Sequence, residues 1–174
     1  MNTSASPIYV GELNGTCLGD LCLAASDFGL VALEWVDSRS HFDSYLRRLK
    51  RPIQPQLRKI ATYARELSEY LDGRRSAFTI PIDWSLFRPF QRDALQAVFR
   101  IPYGETCTYH DIAVEIGRPN ASRAVGRANA TNPMPLVIPC HRVIGRDSKL
   151  HGYGGGHGLE TKEWLLKMEG AVIA

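Results

Sequence analysis

The distribution of apolar residues predicts a small sheet and two helices in the first half of the chain. Two apolar runs, TCLGDLCLAAS and GLVALEWV, are joined by DFG, which is typical of a β-hairpin. Residues 40–50 have a helical pattern, and residues 54–73 have a clearer one that ends at Asp72 and Gly73. Residues 76–84 predict a further strand. The apolar face of the longer helix comprises Leu57, Ile60, Ala61, Ala64, Leu67 and Leu71.

From residue 85 onwards the pattern is mainly helical. A first helix is predicted over residues 89–101 and a last one over residues 160–170, after a glycine-rich loop, GYGGGHG. Two short helices are predicted between them. One begins after the N-cap Thr108 and ends at Gly117, and the other is capped by Asn120. Two short helices joined by a few residues that include glycine form a helix-turn-helix pattern.

Together these elements predict an α+β protein with two domains, which a chain of 174 residues is long enough to build. We assign residues 1–84 to a small N-terminal α/β domain with an antiparallel sheet and a structural, supporting role. We assign residues 85–174 to a mainly helical C-terminal domain. This second domain contains the helix-turn-helix and the candidate chemical groups.

Composition narrows the class of protein without selecting a function. No apolar run is long enough to span a membrane, and the N-terminus lacks the features of a secretory signal, so we expect a cytoplasmic protein. The four cysteines form no C-x-x-C pair, which predicts reduced thiols and no metal site. Residues 85–174 contain 11 basic and 8 acidic side chains. So small an excess is more typical of a solvated surface than of a surface that binds polyanions.

The second helix of the pair is unusually rich in small residues. Ala121, Ala124 and Gly126 leave its surface narrow, while Arg123 and Arg127 project from it. Glycine within a helix costs about 1 kcal/mol relative to alanine, so its presence there requires a reason. One reason is close packing against another helix. The other is insertion into the minor groove of DNA, where protruding arginines make contacts.

Cys140 is the candidate nucleophile because three prolines restrict the chain around it. Pro133, Pro135 and Pro139 favour an extended backbone in the residues before them, which predicts a strand-like run that holds the sulfur in place. Neighbouring residues on an extended chain face opposite sides. We therefore expect His141 to activate the thiol through a bridging water, with an acid behind the ring to orient it. A buried structural thiol beside a hydrogen-bonded histidine is the alternative.

One protein family has all of these features. In order and at matching spacing, residues 86–170 resemble the O6-alkylguanine-DNA alkyltransferases, also called methylated-DNA–protein-cysteine methyltransferases. The segment PCHRV around Cys140 is the signature of that family, and GETCTY, RAVG and the NP dipeptide support the resemblance independently. In the first half of the chain, the resemblance is limited to the layout of strands and helices.

The resemblance implies DNA repair by a protein that reacts only once. The alkyl group of O6-alkylguanine, with O4-alkylthymine as a second lesion, would pass irreversibly to Cys140 from a base flipped out of the duplex, without a cofactor. His141 would generate the thiolate through water, with Glu169 as the orienting acid. Tyr109 would help to rotate the nucleotide and would protonate the guanine ring. Asn132 would connect the helix-turn-helix to the active-site strand.

The resemblance also implies which residues contact the damaged base. The carbonyl groups of Cys140 and Val143 would accept hydrogen bonds from its exocyclic amine. Tyr153, the backbone of Gly154, and Lys162 would close over the base near O6. These assignments transfer the positions of the family motif to this chain one residue at a time.

The DNA contacts implied by the resemblance lie on the small-sided helix. Arg123 would enter the base stack and fill the gap that the flipped nucleotide leaves. Ala121, Ala124, Gly126 and Arg127 would contact the minor groove of double-stranded DNA, without a strong sequence preference. The protein would act as a monomer and would not bind a membrane.

One departure from the family lies in the glycine-rich loop. His157 and Gly158 look like a two-residue insertion, and SKLHGY replaces a more glycine-rich approach to the loop. Either change would alter how the loop closes over the base. The range of alkyl groups that fit would change with it.

Three other functions are compatible with parts of the sequence. A non-catalytic binder of alkylated DNA would keep the helix-turn-helix but lack the acceptor cysteine, which is present here. In a helix-turn-helix regulator the thiol motif would have no role. A cysteine hydrolase would use Cys140 and His141 but leave the arginine-rich helix without a role. Alkyl transfer is the function that uses both features.

Overall fold

The computed structural model describes residues 6–146 and 150–172, and it has the predicted α+β fold. The chain divides into two compact units, Met1–Leu86 and Phe87–Ala174. The first unit is built on a four-stranded sheet, and the second is mainly helical. Within the described ranges, no helix is both long and apolar enough to cross a membrane.

The sheet of the first unit has three antiparallel strands and one parallel strand. Its strands are β1 (Ile8–Leu13), β2 (Leu21–Ser26), β3 (Gly29–Trp35) and β4 (Ile53–Pro55). β2 pairs antiparallel with both β1 and β3, and the predicted hairpin between β2 and β3 is confirmed. β4 pairs parallel with β1, so the sheet is mixed, whereas we expected only antiparallel pairing. Every residue of β2 is buried, as its nearly continuous apolar run requires.

The strand predicted over residues 76–84 is wrong. That segment makes only an isolated parallel bridge, between Ile82 and Leu30. Leu30 donates its N–H to the Pro81 carbonyl at 2.8 Å, and Asp83 donates its N–H to the Leu30 carbonyl at 3.0 Å. Pro81 has no N–H for a longer ladder, and the side chain of Asp83 instead accepts from Ser26 Oγ at 2.7 Å. The alternating pattern there reflects burial of Ile80 and Ile82 without a strand.

The two predicted helices of the first unit are present as α1 (Arg39–Leu49) and α2 (Leu57–Leu71). The buried face of α2 is rotated relative to the predicted one: Leu57, which is 72% exposed, and Ala61, which is also exposed, do not belong to it. The buried residues of α2 are Ile60, Glu66, Leu67, Tyr70 and Leu71. Glu66 is tolerated inside because it accepts a hydrogen bond from the N–H of Thr79 at 2.8 Å and lies 3.3 Å from Arg75.

The second unit consists of four helices and two very short strands among the described residues. They are α3 (Pro89–Phe99), β5 (Cys107–Thr108), α4 (Tyr109–Glu115), α5 (Ser122–Ala130), β6 (Val143–Ile144) and α6 (Leu159–Met168). β5 and β6 pair in parallel. Fully buried apolar side chains from each helix form the core, among them Leu95, Ile112, Val125, Leu165 and Leu166. Phe99, at the end of α3, is 37% exposed.

The helix-turn-helix consists of α4 and α5, which pack against each other. Thr108 and Asp111 form a reciprocal capping box at the start of α4, which confirms the predicted N-cap. Gly117 follows the helix at φ +70°, a conformation that favours glycine. The cap predicted at Asn120 is wrong, because the N-cap of α5 is Ala121 and no side chain caps that helix. Short-range hydrogen bonds thus define α4 more strictly than α5.

Candidate functional site

The segment between α5 and Cys140 is held by the side chain of Asn132. Its Nδ2 donates to the carbonyl of Ile138 at 2.9 Å, and its Oδ1 accepts from the N–H of Met134 at 3.0 Å. The backbone N–H of Asn132 also donates to the carbonyl of Asn129 in α5 at 3.1 Å. The side chain of Asn132 therefore holds the proline-containing segment together, and its backbone N–H ties that segment to the end of α5.

The backbone at Cys140 is a tight turn, so the predicted strand-like run is wrong at this point. Pro139 has φ −78° and ψ 63°, and Cys140 donates its N–H to the carbonyl of Ile138 at 2.7 Å. These values define an inverse γ-turn, and a short 3-10 turn follows over Cys140–Arg142. Successive side chains in such a turn are about 120° apart, so those of Cys140 and His141 still diverge. Cys140 is 6% exposed.

Glu169 connects three groups behind Cys140. Its Oε1 lies 3.0 Å from His141 Nε2, and its two oxygens accept from Nε and one terminal nitrogen of Arg142, both at 2.8 Å. Its Oε2 also accepts from the N–H of Gly104 at 3.2 Å. Arg142 donates further to the carbonyl of Ile101 at 2.6 Å. The buried carboxylate is thus neutralised by a bidentate arginine, as burial of a charge requires.

The position of Glu169 explains why Arg142 is needed. Glu169 is the C-cap of α6, where the helix dipole disfavours a negative charge. The guanidinium of Arg142 supplies the compensating positive charge and stacks over the ring of Tyr103 at 5.8 Å. Arg142 therefore allows an ionised carboxylate to face His141 inside the unit.

His141 is held in its neutral form. Burial lowers the pKa of the imidazole most, and the positive charges of Arg142 and Lys162 lower it further, against the opposing effect of Glu169. With Glu169 ionised, the Nε2–H donates to the carboxylate, which leaves the lone pair on Nδ1. A neutral imidazole with that tautomer is able to accept a proton through Nδ1.

A small cavity lies beside Cys140. Its lining residues are Tyr109, Gly126, Asn129, Ala130, Cys140, Gly152, Tyr153 and Gly154. The volume, about 30 Å³, is room for about one water molecule. The cavity thus brings five of the predicted site residues together, from α4, α5, the tight turn and the glycine-rich loop. It is too small for a purine, so the loop has to move before a base can enter.

Tyr109 and Asn129 form the α4 and α5 walls of this cavity. Asn129 Nδ2 donates to the carbonyl of Cys140 at 3.2 Å. Burial raises the pKa of the Tyr109 phenol, while a hydrogen bond from Asn129 opposes that change. The phenol keeps its proton at neutral pH and can serve as a donor.

Lys162 is fully buried and binds the backbone next to the glycine-rich loop. Its Nζ donates to the carbonyl of Val143 at 2.6 Å and to that of His151 at 3.1 Å. Burial lowers the pKa of Lys162 to about 8, although the neighbouring Cys140 has the opposite effect. The lysine therefore joins β6 to the loop and does not face a solvent-filled pocket.

This buried lysine predicts a pH dependence of stability. The unfolded chain binds the Lys162 proton up to its ordinary pKa of 10.5, whereas the folded chain releases it near 8. The free energy of unfolding should therefore rise between about pH 8 and 10.5. Lys162→Met should remove this part of the rise in urea denaturation measured across that range. The control is Lys167→Met, at an exposed pair with Glu163, and an equal slope in both variants would contradict the prediction.

The predicted DNA contacts lie on the outer side of α5. Arg123, Ala124 and Arg127 are exposed, and Ala121 and Gly126 are partly exposed. The opposite side of α5 is buried through Val125, Ala128 and Asn129. The helix thus presents a narrow, positively charged surface.

The loop insertion noted in the sequence forms a turn before α6. Gly158 donates its N–H to the carbonyl of Gly155 at 3.0 Å and has φ +66°. His157 donates its N–H to Thr161 Oγ1 at 2.9 Å. Two residues of the SKLHGY stretch, Ser148 and Lys149, lie outside the described residues. Among the described residues, no group of three or more His, Cys, Asp or Glu side chains is placed to hold a metal ion.

Two family models match nearly the whole chain. Residues 12–84 match the ribonuclease-like domain of 6-O-methylguanine DNA methyltransferase, and residues 89–171 match its DNA-binding domain. The constitutive methylated-DNA–protein-cysteine methyltransferase of Bacillus subtilis is 38% identical over 159 residues, covering 88% of this chain and 91% of the relative. The Methanosarcina barkeri enzyme of the same name is 40% identical, with 87% and 91% covered. The chain belongs to the methylated-DNA–protein-cysteine methyltransferase family.

Solved structures agree with this assignment. The O6-methylguanine methyltransferase of Mycobacterium tuberculosis superimposes with a TM-score of 0.74 at 34% identity, covering 94% of this chain and 93% of that chain. A structure of the Mycobacterium tuberculosis protein in complex with DNA matches equally well, with 92% of that chain covered. The resemblance inferred from PCHRV and its neighbouring motifs is therefore confirmed.

The structure adds two residues that sequence reasoning about this methyltransferase missed. Arg142 was part of the quoted PCHRV motif but received no role, and its contact with Glu169 spans 27 positions of the chain. Asn129 is a polar residue on the small-sided helix, and only the structure shows it beside Cys140 and Tyr109. In the sequence, the available indication of a role for Asn129 was an asparagine within a helix of small residues.

Proposed function

We propose that this protein repairs DNA by transferring the alkyl group of O6-alkylguanine to its own Cys140, once and irreversibly. The observation that carries the proposal is the placement of a buried thiol at a cavity wall beside Tyr109, with the His141–Glu169 pair behind it. A member of the methylated-DNA–protein-cysteine methyltransferase family with this arrangement has the groups that the reaction needs. O4-alkylthymine is the second lesion that we propose as a substrate.

The chemistry needs a thiolate, a proton acceptor and a proton donor. His141 accepts the thiol proton at Nδ1 through a water, and Glu169 keeps the ring in the required tautomer. The thiolate attacks the alkyl carbon, the carbon–O6 bond breaks, and a thioether forms. Tyr109 gives its proton to the guanine ring as the base leaves, and the proton held on His141 restores the phenol. The net change exchanges the thiol hydrogen for the alkyl group, so the protein cannot turn over.

The carbonyls of Cys140 and Val143 are proposed to hold the exocyclic amine of the base. The Val143 carbonyl accepts a hydrogen bond from Lys162, whereas the Cys140 carbonyl accepts two, from the N–H of Val143 and from Asn129 Nδ2. A carbonyl oxygen has two lone pairs, so the Val143 carbonyl can accept a second bond, whereas the Cys140 carbonyl has to share one of its lone pairs with the amine. Since the cavity is close to the size of one water, Tyr153 and Gly154 have to move outward first and then close over the base.

We propose that α5 contacts the minor groove, without strong sequence preference. Its exposed small residues allow a close approach to the duplex, and Arg123 is placed to enter the stack. Flipping a base costs a few kcal/mol, which phosphate contacts and the inserted arginine must offset. We further propose that the protein acts as a monomer in the cytoplasm, with the unit Met1–Leu86 in a supporting role.

The proposed function is tested by weighing the protein after reaction. The intact chain is incubated with a duplex that contains one O6-methylguanine, and its mass is measured before and after peptide mapping. We expect a gain equal to one CH2 group, located on Cys140, in at most one copy per molecule. Tight binding without a mass gain would instead indicate a non-catalytic binder of alkylated DNA.

Arg123→Ala should slow alkyl transfer from duplex DNA by roughly 10–100-fold, because the gap left by the flipped base is no longer filled. Transfer from a single-stranded oligonucleotide should change much less, since no base pair has to be opened. Arg127→Ala, on the same exposed side of α5, is the comparison for loss of charge alone. Equal rates for Arg123→Ala and the unmodified protein on duplex DNA would contradict the assignment.

A further inference from the structure

The side-chain amide of Asn129 is buried with only one of its two ends hydrogen-bonded, which a role in stability alone does not explain. Asn129 is 9% exposed and lies in α5, although asparagine is a poor helix former. Its Nδ2 is used by the Cys140 carbonyl, but its Oδ1 is buried and finds no hydrogen-bond donor within the described residues. A buried acceptor without a donor destabilises the folded state. Such groups are expected where a ligand supplies the missing partner.

We propose that Asn129 is a specificity-determining residue, whose Oδ1 accepts the exocyclic-amine hydrogen of the O6-alkylguanine base that points towards the Cys140 carbonyl and shares it with that carbonyl in a three-centre hydrogen bond. The inference rests on the proposed function, because it assigns a contact in the same reaction. Asn129 lines the cavity together with Cys140 and Tyr109, so a base presented to the thiol has to pass its amide.

The contact with Cys140 determines which end of the amide is available. The Cys140 carbonyl can only accept, so the NH2 end of Asn129 has to face it. Turning the amide round would place two acceptors against each other. The oxygen is therefore the end that remains for the base, and it is preorganised before the base arrives.

The chemistry of the lesions gives this oxygen a selective effect. Alkylation at O6 removes the proton from N1 of guanine, so the exocyclic amine is the only hydrogen-bond donor left on the base-pairing edge. O4-alkylthymine has lost its ring N–H and has no such donor. A thymine lesion would leave Asn129 Oδ1 without a partner, so O4-alkylthymine should react more slowly than O6-alkylguanine.

The test combines a change in the protein with a change in the base. Single-turnover rates of Cys140 methylation are measured with duplexes that contain O6-methylguanine or O6-methylhypoxanthine, which is the same base without the amine. The ratio of the two rates is compared between the unmodified protein and Asn129→Leu, which has nearly the same shape. We expect the ratio to fall about tenfold in the variant, the effect of one hydrogen bond.

Two more variants separate acceptor, shape and folding. Asn129→Asp keeps an acceptor oxygen and should retain the preference for the amine-bearing base, even if both rates fall. Asn129→Ala favours the helix and should behave like Asn129→Leu, so that misfolding of the leucine variant does not decide the result. Asn120→Leu, at an exposed position before α5, is the control and should leave the ratio unchanged.

The possible failures are distinguishable. If the unmodified protein does not methylate Cys140 with O6-methylguanine, the proposed function fails. If it does, but the rate ratio is the same for the unmodified protein, Asn129→Leu and Asn129→Ala, the role of Asn129 is overturned. Loss of the preference in Asn129→Asp as complete as in Asn129→Leu would also overturn it, because the acceptor oxygen would then have no effect.

Discussion

Cys140→Ser abolishes alkyl transfer, with a rate lower by on the order of 10⁴-fold or more. A hydroxyl in the same position is far less acidic and less nucleophilic than a thiol, so the neutral His141 cannot generate a competent nucleophile. The measurement is the mass of the intact protein after incubation with a duplex containing O6-methylguanine. Affinity for the duplex should remain, because the exposed side of α5 is unchanged.

Cys107→Ser provides the matched control for that result. Cys107 is a partly buried thiol in β5 of the same unit, and it does not line the cavity beside Cys140. Burial raises its pKa, and the nearby Asp111 and Glu115 raise it further, which keeps it protonated. Cys107→Ser should therefore accept the alkyl group as fast as the unmodified protein. Transfer by Cys140→Ser, or alkylation found at Cys107, would disprove the assignment.

Glu169→Gln lowers the free energy of unfolding by about 3–5 kcal/mol, the usual cost of leaving one partner of a buried ion pair alone. Arg142 and His141 both direct nitrogen groups at this carboxylate, and a neutral amide cannot accept from all of them. Alkyl transfer should slow as well, since the imidazole loses the group that determines its tautomer. Urea denaturation followed by circular dichroism measures the first effect, and single-turnover rates measure the second.

Glu163→Gln is the comparison, because it removes an exposed carboxylate from the same helix. Its pair with Lys167 is solvent-accessible, so the cost should stay below about 1 kcal/mol. If Glu169→Gln lowers the free energy of unfolding no more than Glu163→Gln does, the contacts of the Glu169 carboxylate with His141 and Arg142 do not stabilise the fold. A destabilised Glu169→Gln that still transfers at the normal rate would separate its structural role from its role in the reaction.

The parts of the fold that were predicted correctly depend on neighbours in the chain. Thr108 and Gly117 delimit α4 through a capping box and a positive φ, and both involve residues within a few positions. The hairpin of β2 and β3 is similar, because its turn joins adjacent strands. In contrast, β4 was missed and residues 76–84 were misread. Pairing there depends on partners far away in sequence, on Pro81 and on burial by other elements.

In the candidate site, too, some residues could be predicted from the sequence and others could not. The proline-rich approach pointed to Cys140 as the candidate nucleophile. The alternation argument assumed a strand, whereas the backbone is a tight turn, and the divergence of the Cys140 and His141 side chains follows from the geometry of that turn. Glu169 entered through the family resemblance and could not have been derived from spacing. Arg142 and Asn129 received no role, since both act through contacts with groups distant in the chain or on another element.

By itself the sequence determined the α+β class, the helix-turn-helix, the family and the candidate acceptor thiol, because these follow from local periodicity, capping residues and a specific motif. The tertiary structure alone decided the direction of the histidine, the neutralisation of Glu169 by Arg142, the burial of Lys162 and the orientation of the Asn129 amide. Those features depend on desolvation and on hydrogen bonds between distant residues. Packing is what brings such groups together and removes them from water.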